Sequence, residues 1–239
     1  MASIGDYASA PDAGPAAWIV AGLRGFAESV LSVVPAGFEA YARIFHPAYR
    51  GEPPVPVLWR DVAAANGRVA HRAMQWPSIT GSFPFTSSSA QPGLWDREPE
   101  EGSLPEELAT ILAAALAPYT ATAAQCWFAV WDGYGALALA GDQAPVFEIP
   151  HRRLLLLTGP IAAVRTSLGA PPYWQSPNLW WPEDRAWCVE TEVDFMTTYV
   201  GGTRQCIEQL VNHQELEALA IEPADGITWE SDQLNPPPA

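Results

Sequence analysis

The sequence predicts an α+β protein, a central antiparallel sheet packed with several helices in a single domain. Three observations carry that prediction. Helical and extended patterns come in groups instead of alternating as strand–helix–strand units. The extended segments are short, apolar and separated by Gly, Asp and Pro turns. Hydrophobic residues make up 49% of the 239, enough for a substantial core and too many for general disorder. The chain divides into a flexible N-terminus over 1–15, one domain over 16–235 and a Pro-rich tail over 236–239.

Each element follows from local pattern. Residues 1–15 are small, polar and proline-containing, and are expected to fray. Over 16–34, Trp18, Ile19, Leu23, Phe26, Val30, Leu31 and Val34 recur at steps of three and four, the spacing of an amphipathic helix that Pro35 closes. Residues 38–45 alternate Phe38, Ala40, Ala42 and Ile44 against Glu39, Tyr41, Arg43 and Phe45, which predicts a strand. Pro47, Pro53, Pro54 and Pro56 make a rigid connection to a short helix from Trp59. That helix ends at Asn66-Gly67, a pair suited to a left-handed C-terminal turn. Residues 77–102 are rich in Ser, Pro and Gly and read as a long loop. Ser103-Leu104-Pro105-Glu106 has capping-box form before a helix carrying Leu108, Ile111, Leu112, Ala115 and Leu116. Strands are then expected over 125–131, 136–140, 146–149 and 153–158, followed by a short helix over 161–168. A further strand over 186–195, a helix from Gly201-Gly202-Thr203 to about His213 and a strand over 216–221 complete the domain.

Charge narrows the function classes. The chain has 12 basic and 27 acidic residues, a net −15, and every basic residue is an arginine. Without lysine there is no pyridoxal Schiff base, no P-loop lysine and no kinase strand lysine. Residues 1–95 balance six acids with six arginines, whereas 96–239 carry 21 acids against six, so the whole excess sits in the later part. An acidic chain argues against nucleic acid as a partner, since that affinity comes from Lys and Arg. No apolar run approaches the roughly 20 residues of a membrane span, and no basic segment precedes Arg24 as a signal peptide would require. Cys126, Cys188 and Cys206 form no CxxC pair, which fits reduced thiols in the cytoplasm. No cofactor is expected.

Four constellations could carry chemistry. On a strand over 186–195, Glu190, Glu192 and Asp194 share one face about 7 Å apart. Such a row suits a divalent cation such as Mg²⁺, Mn²⁺ or Ca²⁺, and equally suits a wet face paired with arginines. Trp180 and Trp181 precede Asp184 and Arg185; one indole exposed beside these charges would make a recognition patch, while two buried indoles would fill a sheet corner. Arg152 and Arg153 could hold a phosphate or carboxylate, or answer neighbouring acids. The glycines at 133 and 135 lack the third glycine of a dinucleotide fingerprint, and a hairpin turn suffices for them. There is no GxSxG or HExxH, and Cys206 and His213 lie two helical turns apart, too far for a catalytic pair.

The stretches VVPAGFEAYARIFHPA, CWFAVWDGYG, NLWWPEDRAWCVETEVDF and TYVGG together resemble an uncharacterised family of bacterial cytosolic proteins, over most of residues 30–235. That resemblance implies no activity and no catalytic residues. The N-terminal helix, Pro-led segment and central sheet are also similar to the SUKH superfamily of toxin-immunity proteins, although this chain is longer and lacks an Asn-Gly-Gly-like turn after Phe45. That similarity implies an acidic binding protein without enzymatic activity. The expected function is therefore non-enzymatic binding of another protein through an acidic, Trp-bearing surface, which a basic partner would complement. The alternatives are a metal-assisted enzyme built on Glu190, Glu192 and Asp194, and a binder of a small anionic ligand.

Overall fold

A computed structural model describes residues 3–81, 90–138 and 144–237. Twelve strands lie among them: β1 (Ser3–Ile4), β2 (Tyr7–Ser9), β3 (Ala40–Phe45), β4 (Ala48–Arg50), β5 (Val55–Val57), β6 (Cys126–Trp131), β7 (Val146–Ile149), β8 (Arg152–Gly159), β9 (Leu179–Pro182), β10 (Cys188–Glu190), β11 (Thr197–Gly202) and β12 (Ala218–Ile221). The α-helices are α1 (Ala17–Gly22), α2 (Trp59–Ala65), α3 (Trp76–Thr80), α4 (Glu106–Leu116) and α5 (Arg204–Val211). Ten strands form one antiparallel sheet in the order β1-β2-β8-β6-β9-β10-β11-β3-β12, with β7 also on β8, and β4 pairs β5 separately. This is the α+β architecture that the grouped patterns predict.

The central strands are buried on both faces, so side-chain alternation sorts residues between two cores. Ala42, Ile44, Phe128, Val130, Trp180, Val189 and Val200 point to the side covered by α4 and α5. Tyr41, Trp127, Ala129, Trp181, Cys188 and Tyr199 point to the other side, under Ile19, Leu23, Val30 and Val34 of the N-terminal segment. A third cluster gathers Phe45, Trp59, Val62, Met74, Trp76, Ile79 and Trp95 beside the end of β3.

Several expectations are corrected. Residues 3–9 do not fray: they form a hairpin on the sheet edge, with Ala8 opposite Thr158 and Tyr7 buried in the core. The helix expected over 16–34 stops at Gly22, because Leu23 is extended and Gly25 and Ala27 have φ of 68° and 54°. Val30 and Val34 still reach the core around a 3₁₀ turn, Val30–Ser32, whereas Phe26 is exposed, so the periodicity reported burial at those two positions and not continuity. The capping box at Ser103 does not form. Its hydroxyl instead accepts from the Ser176 amide at 3.0 Å, and α4 begins after Pro105 with no side-chain cap. Within 77–102, α3 occupies the start, Trp95 is buried and Arg97 bridges Tyr49, while 82–89 lie outside the described residues. Of the strand expected over 136–140, Leu137 makes an isolated bridge to Gly169, and 139–140 lie outside the described residues. The helix expected over 161–168 is a 3₁₀ turn, Ile161–Arg165.

The strand expected over 186–195 is also shorter, spanning only β10. Thr191 leaves the ladder, its amide donating to the Asn178 carbonyl at 2.7 Å and its hydroxyl meeting Thr198 at 2.7 Å. The chain then turns, with the Phe195 amide bonded to the Glu192 carbonyl and the Asp194 amide to the Glu192 carboxylate. Gly102 allows this turn to pack closely. Its φ is 73°, its amide donates to the Phe195 carbonyl at 2.9 Å, and a Cβ there would lie 2.4 Å from the Val193 carbonyl oxygen.

Candidate functional site

The register of three adjacent strands builds the site. Glu190 on β10 is directly opposite Tyr199 on β11, which is directly opposite Arg43 on β3. Residues opposite one another on antiparallel strands share a face, so the three side chains form a row on the side of the sheet under the N-terminal segment. All three are buried, Arg43 at 1% exposure. Adjacent strands lie about 4.8 Å apart, so Glu190 and Arg43 stand roughly 10 Å apart at the backbone, with Tyr199 between them. Arg43 Nε, the Tyr199 hydroxyl and Glu190 Oε2 are buried without a hydrogen bond of good geometry, the Tyr199 hydroxyl standing close to Arg43 and Thr197. An unsatisfied buried polar group costs about 1–3 kcal/mol, and three of them, two from ionisable side chains of opposite sign, share this one row.

Arg43 anchors one end. Its Nη1 donates to the Arg72 and Met74 carbonyls at 3.1 and 2.9 Å, and Nη2 donates to Gln75 Oε1 at 3.2 Å. That uses three of the five guanidinium donors. The guanidinium carbon lies 4.8 Å from the Phe45 ring centre, 5.8 Å from Trp59 and 5.7 Å from Tyr199. Among the described residues no carboxylate lies within ion-pairing distance of it. Burial lowers its pKa, opposed by Tyr199 and Asp232, yet an arginine stays protonated in a protein. The floor of the site is thus a buried cation with no direct carboxylate partner, felt by Asp232 at longer range.

Glu190 anchors the other end in a different state. Burial, reinforced by Glu192, holds its carboxyl well above the usual carboxylate range despite Arg152. Its protonated form is favoured, and in that form it can donate one hydrogen bond. Burial likewise raises the Tyr199 phenol, with the Arg43 guanidinium pulling it down.

Two cavities open on the row. One of about 410 Å³ has Arg43 at its base, walls of Trp59, Trp76, Phe195 and Trp229, and Glu101 and Asp194 at its rim. A smaller one of about 60 Å³ lies beside Glu190, between Phe26, Ser32 and Arg152. Phe195 borders both and stands edge-on to Tyr199 at 6.2 Å. A wider groove of about 640 Å³ along α5 is lined by Gln205, Glu208, His213 and other polar side chains, and contains no unpaired buried group.

The structure sorts the sequence candidates. Glu192 and Asp194 do not continue a row with Glu190; after the turn both close on Arg152, which bonds Glu192 Oε1 and Asp194 Oδ2 at 2.7 Å each. Among the described residues no three His, Cys, Asp or Glu side chains gather as a metal-holding group. Arg152 also lies over the Trp131 ring, while Arg153 pairs with Asp132 at 3.2 Å near the surface. Trp180 and Trp181 are both buried, on opposite faces of β9, so neither supplies the exposed indole of a recognition patch. Asp184 accepts from Thr120 and from the Ala121 and Ala186 amides, and Arg185 lies over Trp18. The thiols are inert: burial pushes Cys126 and Cys206 up to about 12 and raises Cys188.

Arg43, Tyr199, Trp59, Trp76 and Glu101 are absent from the sequence candidates. One signal was present for Arg43: an arginine between Tyr41 and Phe45 on a strand with apolar residues on its other face. It reads as the wet side of a half-buried strand unless both faces are known to be covered.

No family model, curated protein or solved structure matches the chain.

Proposed function

We propose that this is a non-enzymatic binding protein whose ligand is a small organic anion with an apolar body, seated on Arg43. A single observation carries the reading: a fully buried guanidinium, without a carboxylate partner and with Nε unbonded, lines a 410 Å³ aromatic cavity. Burying an unpaired charge is costly, and a carboxylate or phosphate matched to the free donors would offset that cost. Cavities of this size with few convergent polar groups are ordinary small-molecule sites. Binding is favoured over catalysis because the hydroxyls at the cavity, Thr197 and Thr228, have no histidine or thiol beside them in its lining. The three free, buried cysteines suit a reducing cytoplasm, and no helix among the described residues is long and apolar enough to cross a membrane.

Titration calorimetry with 4-methylbenzoate tests this. Saturable binding is expected, with Arg43→Met weakening it at least tenfold, about 1.4 kcal/mol. Trp229→Ala, at the half-exposed rim, offers a variant whose core is undisturbed and should weaken binding several-fold. Binding weaker than about 1 mM, or binding unchanged in both variants, would refute the proposal.

A further inference from the structure

Resting on that reading, we propose that the ligand is a zwitterion with separated charges, its anionic group on Arg43 and its cationic group between Glu101 and Asp194. The two ends of the cavity are built differently. At the base lies the guanidinium with no direct carboxylate partner; at the rim lie carboxylates in excess. Arg152, which lines the smaller cavity, pairs with the rim residue Asp194, and its guanidinium is shared with Glu192. Among the described residues Glu101 forms no ion pair. Asp194, Glu98 and Glu192 all repel its ionised form, adding to the effect of its partial burial. A cation delivered there relieves that repulsion, as an anion delivered to Arg43 relieves the opposite imbalance.

The two charged ends sit at different places along the chain. The Arg43 guanidinium lies over Phe45, which is opposite Thr197 on β11, whereas the Glu101 segment is bound at Phe195, two residues before Thr197. Asp194 lies beyond Thr197, and Glu101 is held beside it by the bond from the Gly102 amide to the Phe195 carbonyl. A compound with both charges on one carbon cannot reach both ends. A flat body between the charges fits the walls of Trp59, Trp76 and Trp229, and the indoles add cation–π attraction toward the rim.

Three compounds with one ring and different ends provide the test: 4-(aminomethyl)benzoate, 4-methylbenzoate and 4-methylbenzylamine, each titrated calorimetrically into the full chain. The zwitterion should bind at least tenfold more tightly than either singly charged compound. Glu101→Gln should close the gap, bringing the affinity of the zwitterion down toward that of 4-methylbenzoate. If 4-methylbenzoate binds as tightly as the zwitterion, the inference is overturned while the anion reading stands. If none of the three binds, or only the amine does, both fail. A zwitterion preference that survives both Glu101→Gln and Asp194→Asn would overturn the assignment of the cationic end.

Discussion

His46 provides a quantitative test of the packing beside the site. Its imidazole is buried between Phe45 of β3 and the Glu100 segment, with Nδ1 2.7 Å from the Glu100 carbonyl and Nε2 2.9 Å from Thr198 Oγ1. A carbonyl only accepts, so Nδ1 carries the proton and Nε2 accepts from the Thr198 hydroxyl. A second proton has to enter a desolvated site near Arg43, and the pKa is lowered from 6.5 to about 4. The unfolded state therefore binds a proton before the folded state does, and stability is lost as pH falls through 6.5 toward 4. At about 1.4 kcal/mol per unit, the full difference is about 3 kcal/mol, of which about 2 is lost by pH 5. The buried carboxyls of Glu190 and Glu217 act in the opposite sense, since their raised pKa values favour the folded state in acid. Comparison with His46→Gln isolates the histidine. Urea denaturation should find the variant about 2 kcal/mol less stable near pH 7.5, from lost hydrogen bonds and packing, with the gap closing by about 2 kcal/mol near pH 5. A gap constant to within about 0.5 kcal/mol across that range would refute a neutral, proton-excluding His46.

Three further outcomes follow from named contacts. Glu217 caps α2 from a distant segment, accepting from the Trp59 and Arg60 amides at 2.6 and 2.8 Å; Glu217→Ala should cost about 2–3 kcal/mol in urea unfolding, and a loss below about 0.5 kcal/mol would show the cap to be dispensable. Gly102→Ala adds a left-handed residue and a clash with the Val193 carbonyl, so a loss of about 2–4 kcal/mol is expected; wild-type thermal stability would contradict the close approach. Glu190→Gln removes a carboxyl that holds its proton to higher pH in the folded than in the unfolded chain, so stability that wild type loses above pH 4.5, at up to about 1.4 kcal/mol per unit, should be retained by the variant. Identical pH–stability profiles for the two proteins would mean that Glu190 is ionised and paired.

The local chemistry of the chain determined much of the fold. Alternation identified β3, the apolar run at 126–131 identified β6, and Asn66-Gly67 ended α2 with Gly67 at φ 65°. Thr203 caps α5, its hydroxyl accepting from the Cys206 amide at 3.2 Å, as its place after two glycines predicts. These signals act within a few residues, where backbone sterics and hydrogen-bonding groups decide the outcome. The site is different in kind. Glu190, Glu192, Asp194 and Arg152 were legible as charged residues, but the turn after Thr191 that folds two of them onto Arg152 depends on Asn178 and Thr198. Arg43, Tyr199 and Glu190 are 156 positions apart in sequence at the extremes and become neighbours only through the order β10-β11-β3. Whether Arg43 meets water or a closed core depended on which segments cover each face, and an alternating strand pattern carries no information about that. The sequence by itself settled the fold class, β3, β6, the end of α2 and the absence of lysine; tertiary structure decided which charges are buried, which are paired, and which one is left facing a cavity.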